Sequence, residues 1–193
     1  MAYDFCDYRS KRTVTFNGST VTKTVECSNS TFADNIEEAW VNLDRSKFKT
    51  QIVDFSYKRE ANTFTITYDK LNEENWVHSR DFPKLTNAAV IQLYKDFVEP
   101  CNEGYPIYYD CGNLKNMFYV GGKLTLIDVD AMCINPNKNE LNSIFWFRMA
   151  HRVGPHTKNL MSQVNAPPVD TSLFPDYVVK PGEHMDTKAF FNG

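Results

Sequence analysis

Residues 107–130 read IYYDCGNLKNMFYVGGKLTLIDVD. Two short β-rich runs, Met117–Val120 and Lys123–Ile127, flank Gly121-Gly122. A two-residue loop of glycines accepts the positive φ that tight hairpins require, so this stretch predicts a hairpin. Asp110 and Asn116 stand before it, and the apolar run Leu124-Thr-Leu-Ile127 ends on Asp128 and Asp130. Carboxylates are costly to take out of water unless something pairs them. An apolar strand that ends on two of them therefore points to a site, with Leu124, Leu126 and Ile127 as the anchor and Asp128 as the projecting group.

Upstream, Thr13–Phe16 alternates apolar and polar residues, Asn17-Gly18 follows, and then STVTKTVE. Asn-Gly between β-rich runs predicts a hairpin with a type I′ turn. Period two puts Val21, Lys23 and Val25 on one face of the second strand. Thr31 can cap a helix that carries Asp34 in its first turn, presents Ile36, Trp40, Leu43 and Lys47 on one side, and ends near Ser46. Glu37 and Glu38 lie beside that stripe. Strands over Gln51–Tyr57 and Thr63–Tyr68 form a second hairpin through Arg-Glu-Ala-Asn. The first 70 residues thus read β-β-α-β-β.

Residues 69–84 are polar and irregular and serve as a connector. Leu85–Val98 reads as a helix with Ala89, Leu93 and Phe97 in register, stopped by Pro100. After the quoted stretch, Leu141–Arg152 is a helix whose Phe145-Trp146-Phe147 cluster belongs to a core, closed by Gly154-Pro155. Residues 165–193 hold four prolines and read as an extended arm on the body or a partly disordered tail. Three units follow: a β-rich unit over 1–70, a helical unit over 71–164 and the arm over 165–193.

The 193 residues, with 14 Phe, 10 Tyr and 3 Trp, suffice for a real core. A net charge of −3 leaves no basic footprint for nucleic acid. No run approaches the ~20 apolar residues of a membrane span, and MAYDFCDYRSKR lacks a secretory core, so a cytoplasmic protein is expected. Five scattered cysteines without Cys-x-x-Cys suggest neither zinc nor disulfides. There is no Gly-x-Ser-x-Gly and Cys111 has no nearby basic partner in sequence, which leaves a serine or cysteine hydrolase only a distant histidine to rest on. The four histidines have no ligand spacing and read as structural or exposed. Taken singly, Lys23 reads as a solvated edge charge and Asp130 as a group ordering its own loop.

Taken in order, these features carry a resemblance. Strand, turn, strand with Lys23, helix with Glu37, two strands, connector, helix, then Asp110, Asn116, hairpin and Asp128 resembles the protein-kinase-like fold across roughly residues 8–150. The Ile127-Asp-Val-Asp form is similar to that of small-molecule phosphotransferases, such as those for aminoglycosides and choline, and of small bacterial or viral kinases. The resemblance implies an α+β, two-lobed kinase-like fold, with a small antiparallel β lobe and one helix ahead of a mainly helical lobe.

It also implies ATP and Mg2+ as cofactors. Lys23 would pair the phosphates and Glu37 or Glu38 would hold that lysine. Leu71 would border the adenine. Asp110 would orient the acceptor hydroxyl, and Asn116, with Asn113 as the other candidate, and Asp128 would hold the metal. The acceptor, a protein or a small molecule, has no signature. The physics suits these residue types: phosphoryl transfer needs positioning and charge rather than covalent help, and magnesium takes hard oxygen ligands. The segment Phe5–Arg12, where a glycine-rich loop would fall, has no glycine. That favours the alternative of a pseudokinase that keeps the fold as a binding or scaffold surface. A third reading is a structural subunit of a viral assembly in a host cytoplasm, with the arm over 165–193 as its contact.

Overall fold

A computed structural model describes residues 9–77, 85–109, 114–135, 137–174 and 186–193. The chain is α+β: a four-stranded antiparallel sheet with one helix is followed by a mainly helical region. The sheet contains β1 (Arg9–Asn17), β2 (Thr20–Cys27), β3 (Phe55–Glu60) and β4 (Thr63–Asp69), in the spatial order β1-β2-β4-β3. Helix α1 (Ser30–Asp44) runs between β2 and β3 in sequence.

The β1–β2 hairpin closes one residue later than the Asn-Gly reading predicts. Asn17 pairs with Thr20, which leaves Gly18-Ser19 as the loop. Gly18 has φ 60° and Ser19 is not in the positive region, so the loop has the II′ pattern with glycine first. Directly opposed residues share a face. Arg12, Val14 and Phe16 therefore lie on the same face as Val25, Lys23 and Val21, and beyond them Phe64, Ile66 and Tyr68.

Helix α1 covers part of that face. Asn29, not Thr31, is its cap: the Asn29 side chain accepts from the Phe32 amide at 3.1 Å. Ala33, Ile36, Ala39, Trp40 and Leu43 are buried, whereas Lys47 lies past the helix end and is exposed. Trp40 packs against Phe55 and Phe64 with ring centroids 5.3 and 4.9 Å apart.

The strand expected from Gln51 begins only at Phe55. Lys47–Gln51 forms a 3-10 turn, and Ile52 then bridges Leu126 instead of joining the sheet. The apolar pair Ile52-Val53 is buried against the later hairpin, and that tertiary contact overrides its β tendency.

Helix α2 (Asn87–Asn102) runs through Pro100. The proline lies in the last turn, where one lost N–H bond costs little because the helix ends two residues on. Short strands β5 (Tyr108–Tyr109) and β8 (Met132–Cys133) pair with each other. Strands β6 (Met117–Val120) and β7 (Lys123–Leu126) form the expected hairpin, with φ 58° at Gly121 and 77° at Gly122. Helix α3 (Lys138–Val153) packs on α2 through Tyr94, Phe97, Phe145 and Trp146. Phe48 continues the apolar core toward the sheet, 5.8 Å from Phe97 and 6.1 Å from Tyr109.

Past α4 (Thr157–Gln163), the segment up to Phe174 and the last helix α5 (Thr187–Asn192) lie against α3. Phe174 stacks on Phe147 at 3.8 Å, and Asn142 donates to the Pro167 carbonyl. No helix among the described residues is long and apolar enough to cross a membrane.

Candidate functional site

The chain at and after the end of β7 is tied down by bonds to its backbone. Four consecutive carbonyls each find a donor, three of them from distant parts of the chain and one from within the turn itself. Leu126 accepts from the Val53 amide at 2.9 Å and Ile127 from the Tyr109 hydroxyl. Asp128 accepts from the Ala131 amide at 2.9 Å, and Val129 from the Trp40 indole at 2.9 Å. The Ile127 amide in turn donates to the Asn116 carbonyl at 2.9 Å. Buried backbone groups need such partners, and satisfying all of them fixes the path of the loop.

Asp128 itself is left-handed, with φ 71° and ψ 43°. Aspartate tolerates this region better than most residues with a Cβ. The kink stops the strand and starts the 3-10 turn Val129–Ala131. The turn brings both carboxylates of Asp-x-Asp to one cation.

That cation is Lys23. Its Nζ donates to Asp128 Oδ1 and, at 2.5 Å, to Asp130 Oδ1. The ammonium comes from the sheet and the carboxylates from the end of the hairpin, 105 and 107 residues away. All three are deep: the Lys23 and Asp128 side chains are 6% and 17% exposed, and Asp130 is 0% exposed. Arg12 adds a second cation from β1, 3.2 Å from Asp128 Oδ1 and 3.7 Å from Asp130 Oδ2. Asn116 donates to Asp128 Oδ2 at 3.2 Å. Among the described residues, one lysine and one arginine charge thus face two aspartates, and such pairing is the condition for burying them.

The electrostatics follow from this crowding. Burial pushes the Asp128 carboxyl above its ordinary value, the Asp130 charge adds to the rise, and Lys23 opposes it. Tyr68 stands opposite Val21 on the same face. Its hydroxyl is pushed up to about 12, first by burial and then by the negative Asp128 and Asp130.

The structure brings together Lys23, Asp128 and Asn116. It places Glu37 elsewhere, which corrects the implied lysine–glutamate pair. The Glu37 carboxylate receives Arg59 at 2.6 Å and the Tyr57 hydroxyl at 2.9 Å, and Asp34 shares the same arginine. Arg59 reaches α1 from β3 and occupies that carboxylate, while Lys23 is drawn to the two aspartates. Glu38 is exposed on the outer side of α1. Leu71 follows β4, half-buried against the core. Asp110 and Asn113 lie outside the described residues.

Two participants escaped the sequence reading. Asp130 does more than order its loop, since it is the most buried carboxylate of the centre. Arg12 ends the glycine-free stretch Phe5–Arg12. Its signal was the hairpin register: a residue two before Val14 shares the face of Lys23.

The donor set at this centre is two carboxylates and one amide, all hard oxygen chemistry. Among the described residues no three His, Cys, Asp or Glu side chains converge as a metal cage. Asp128, Asp130 and Asn116 nonetheless suit a divalent cation that keeps part of its water and shares ligands with a phosphate. Beside them, Val14 and Phe16 are 44% and 63% exposed on the part of the sheet face that α1 leaves open. No protein-family model matches this sequence, and comparison with curated proteins finds no match.

Proposed function

We propose that this centre binds ATP with Mg2+ and moves the γ-phosphate to a hydroxyl acceptor, on a two-lobed scaffold of the kinase-like kind. One observation carries the reading. The lysine of the sheet and the aspartate that ends the hairpin, far apart in sequence, meet in a buried charged centre.

The roles follow from the residues. Asn116 and Asp128 would hold magnesium, with Asp130 beside them. When bound, the metal supplies charge neutralisation across the phosphate oxygens. Lys23 would then turn its ammonium to the phosphates, and Asp130 would do the orienting that the resemblance gave to Glu37. The exposed apolar shelf of Val14 and Phe16, with Leu71 at the strand end, offers a surface for a flat ring. Asp110 would orient the acceptor hydroxyl, a role that rests on the sequence pattern.

A second reading keeps the binding and drops the transfer: a pseudokinase that serves as a binding or scaffold protein. The absence of glycine from Phe5–Arg12 and the commitment of Glu37 to Arg59 favour it.

Thermal melting with ATP and magnesium tests both. A ligand at 100 times its dissociation constant stabilises by about 2.7 kcal/mol. The expected result is a stabilisation that Asp128→Asn abolishes. Transfer of labelled γ-phosphate to any acceptor, or to water, then separates enzyme from pseudokinase. No shift with nucleotide, with or without metal, overturns the transferase reading.

A further inference from the structure

We infer that Arg12 is a phosphate-anchoring residue of this centre, selective for the terminal phosphates of a nucleoside di- or triphosphate. It would do with a guanidinium what a glycine-rich loop does with backbone amides. The inference rests on the nucleotide-binding reading above.

The charge balance leads to it. Without metal, among the described residues, two aspartates are matched by Lys23 and Arg12. A divalent cation on the aspartates would displace these two cations from them and add two positive charges to the described part of the centre. Such an excess suits a polyphosphate and has no use against a neutral ligand.

Position separates the two cations. Lys23 is buried beneath the sheet, whereas the Arg12 side chain is 42% exposed. Arg12 lies opposite Val25, one step along the face from the Val14–Lys23 pair. It therefore stands at the open side of the centre, next to the uncovered Val14. Its two contacts there, 3.2 Å to Asp128 and 3.7 Å to Asp130, are both to the aspartates, so both are given up once the aspartates have another partner. A guanidinium presents a planar fork that matches two phosphate oxygens at once. A backbone lined with Cβ atoms cannot approach phosphates as glycine can, and Phe5–Arg12 has no glycine. A long forked side chain does not need that close approach.

The test is calorimetric titration of the full chain with AMP, ADP and ATP in magnesium buffer, for wild type, Arg12→Ala and Arg12→Lys. Wild type should bind ADP and ATP more tightly than AMP. Arg12→Ala should weaken ADP and ATP by about tenfold or more, the worth of a charged hydrogen bond, with AMP changed by less than about twofold. Arg12→Lys keeps the charge without the fork and should fall between. If Arg12→Ala fails to melt cooperatively, the lysine variant decides, and wild-type ATP affinity in it overturns the inference. So does an Arg12→Ala that binds ATP like wild type, or that loses AMP to the same degree. A wild type that binds no nucleotide overturns the nucleotide reading itself, before any variant is measured.

Discussion

Trp40 of α1 donates its indole N–H to the carbonyl of Val129, the residue between the two site aspartates, at 2.9 Å. The bond is buried and joins residues 89 apart in sequence. It makes the helix that covers the sheet also the support of the aspartate turn. The same ring packs on Phe55, Tyr57 and Phe64, so the packing of the sheet and the position of the carboxylates are mechanically one thing.

Trp40→Phe should separate those two roles. It keeps most of the aromatic contact and leaves the Val129 carbonyl without its donor. The expected loss is about 1–3 kcal/mol of unfolding free energy in urea melts. A loss too small to measure would mean the carbonyl finds another donor and that Trp40 does not fix the turn.

Lys23→Met removes the central cation from two buried carboxylates. Breaking one side of a buried pair costs about 3–5 kcal/mol, and the same range is expected here, lessened by whatever Arg12 compensates. Adding Asp130→Asn to Lys23→Met should recover part of the loss, because one uncompensated charge is gone. Equal stability of single and double variants, read from denaturant midpoints at constant slope, would contradict the geometry.

The raised Asp128 carboxyl has a consequence for pH. In the window between the ordinary carboxylate value and its raised value, the folded chain holds a proton that the unfolded chain has released. Stability therefore falls as pH rises through that window. This contribution is fully present below the unfolded value and lost above the folded one. Asp128→Asn should flatten the fall. Melting temperature followed across the acidic range checks it, and an unchanged pH profile in the variant would refute it.

Phe174 is 2% exposed and stacked on Phe147 of α3. Phe174→Ala should cost about 3–5 kcal/mol and speed proteolytic cleavage after Gln163. If cleavage and stability stay as in wild type, the segment beyond α4 adds nothing to the body.

Local chemistry explains which elements could be read in advance. The β6–β7 hairpin was legible because Gly121-Gly122 supplies two positive φ values where a tight loop needs them. The stripe Ile36, Trp40, Leu43 was legible because a 3.6-residue period survives in any surroundings. Gln51–Asp54 was not. Its apolar residues satisfy a strand pattern equally well whether they join the sheet or dock on β7, and only the Leu126 contact chose. The loop of the first hairpin slipped by one residue because Gly18 fits the first position of one turn type as well as the second of another.

By itself, the sequence determined the α+β order of elements, the hairpin that carries the aspartates, and the presence of Lys23 and Asp128 as groups awaiting partners. Tertiary structure decided who the partners are. Lys23 could have met Glu37, one helix away, yet Arg59 crossed from β3 and took that carboxylate. Asp130 became a lysine ligand because the left-handed turn at Asp128 aims both side chains inward. Arg12 entered because hairpin register sets it on the lysine's face. A buried charge takes whichever opposite charge the packed backbone delivers within about 4 Å, and that distance is a property of the assembled chain, with no local pattern to announce it.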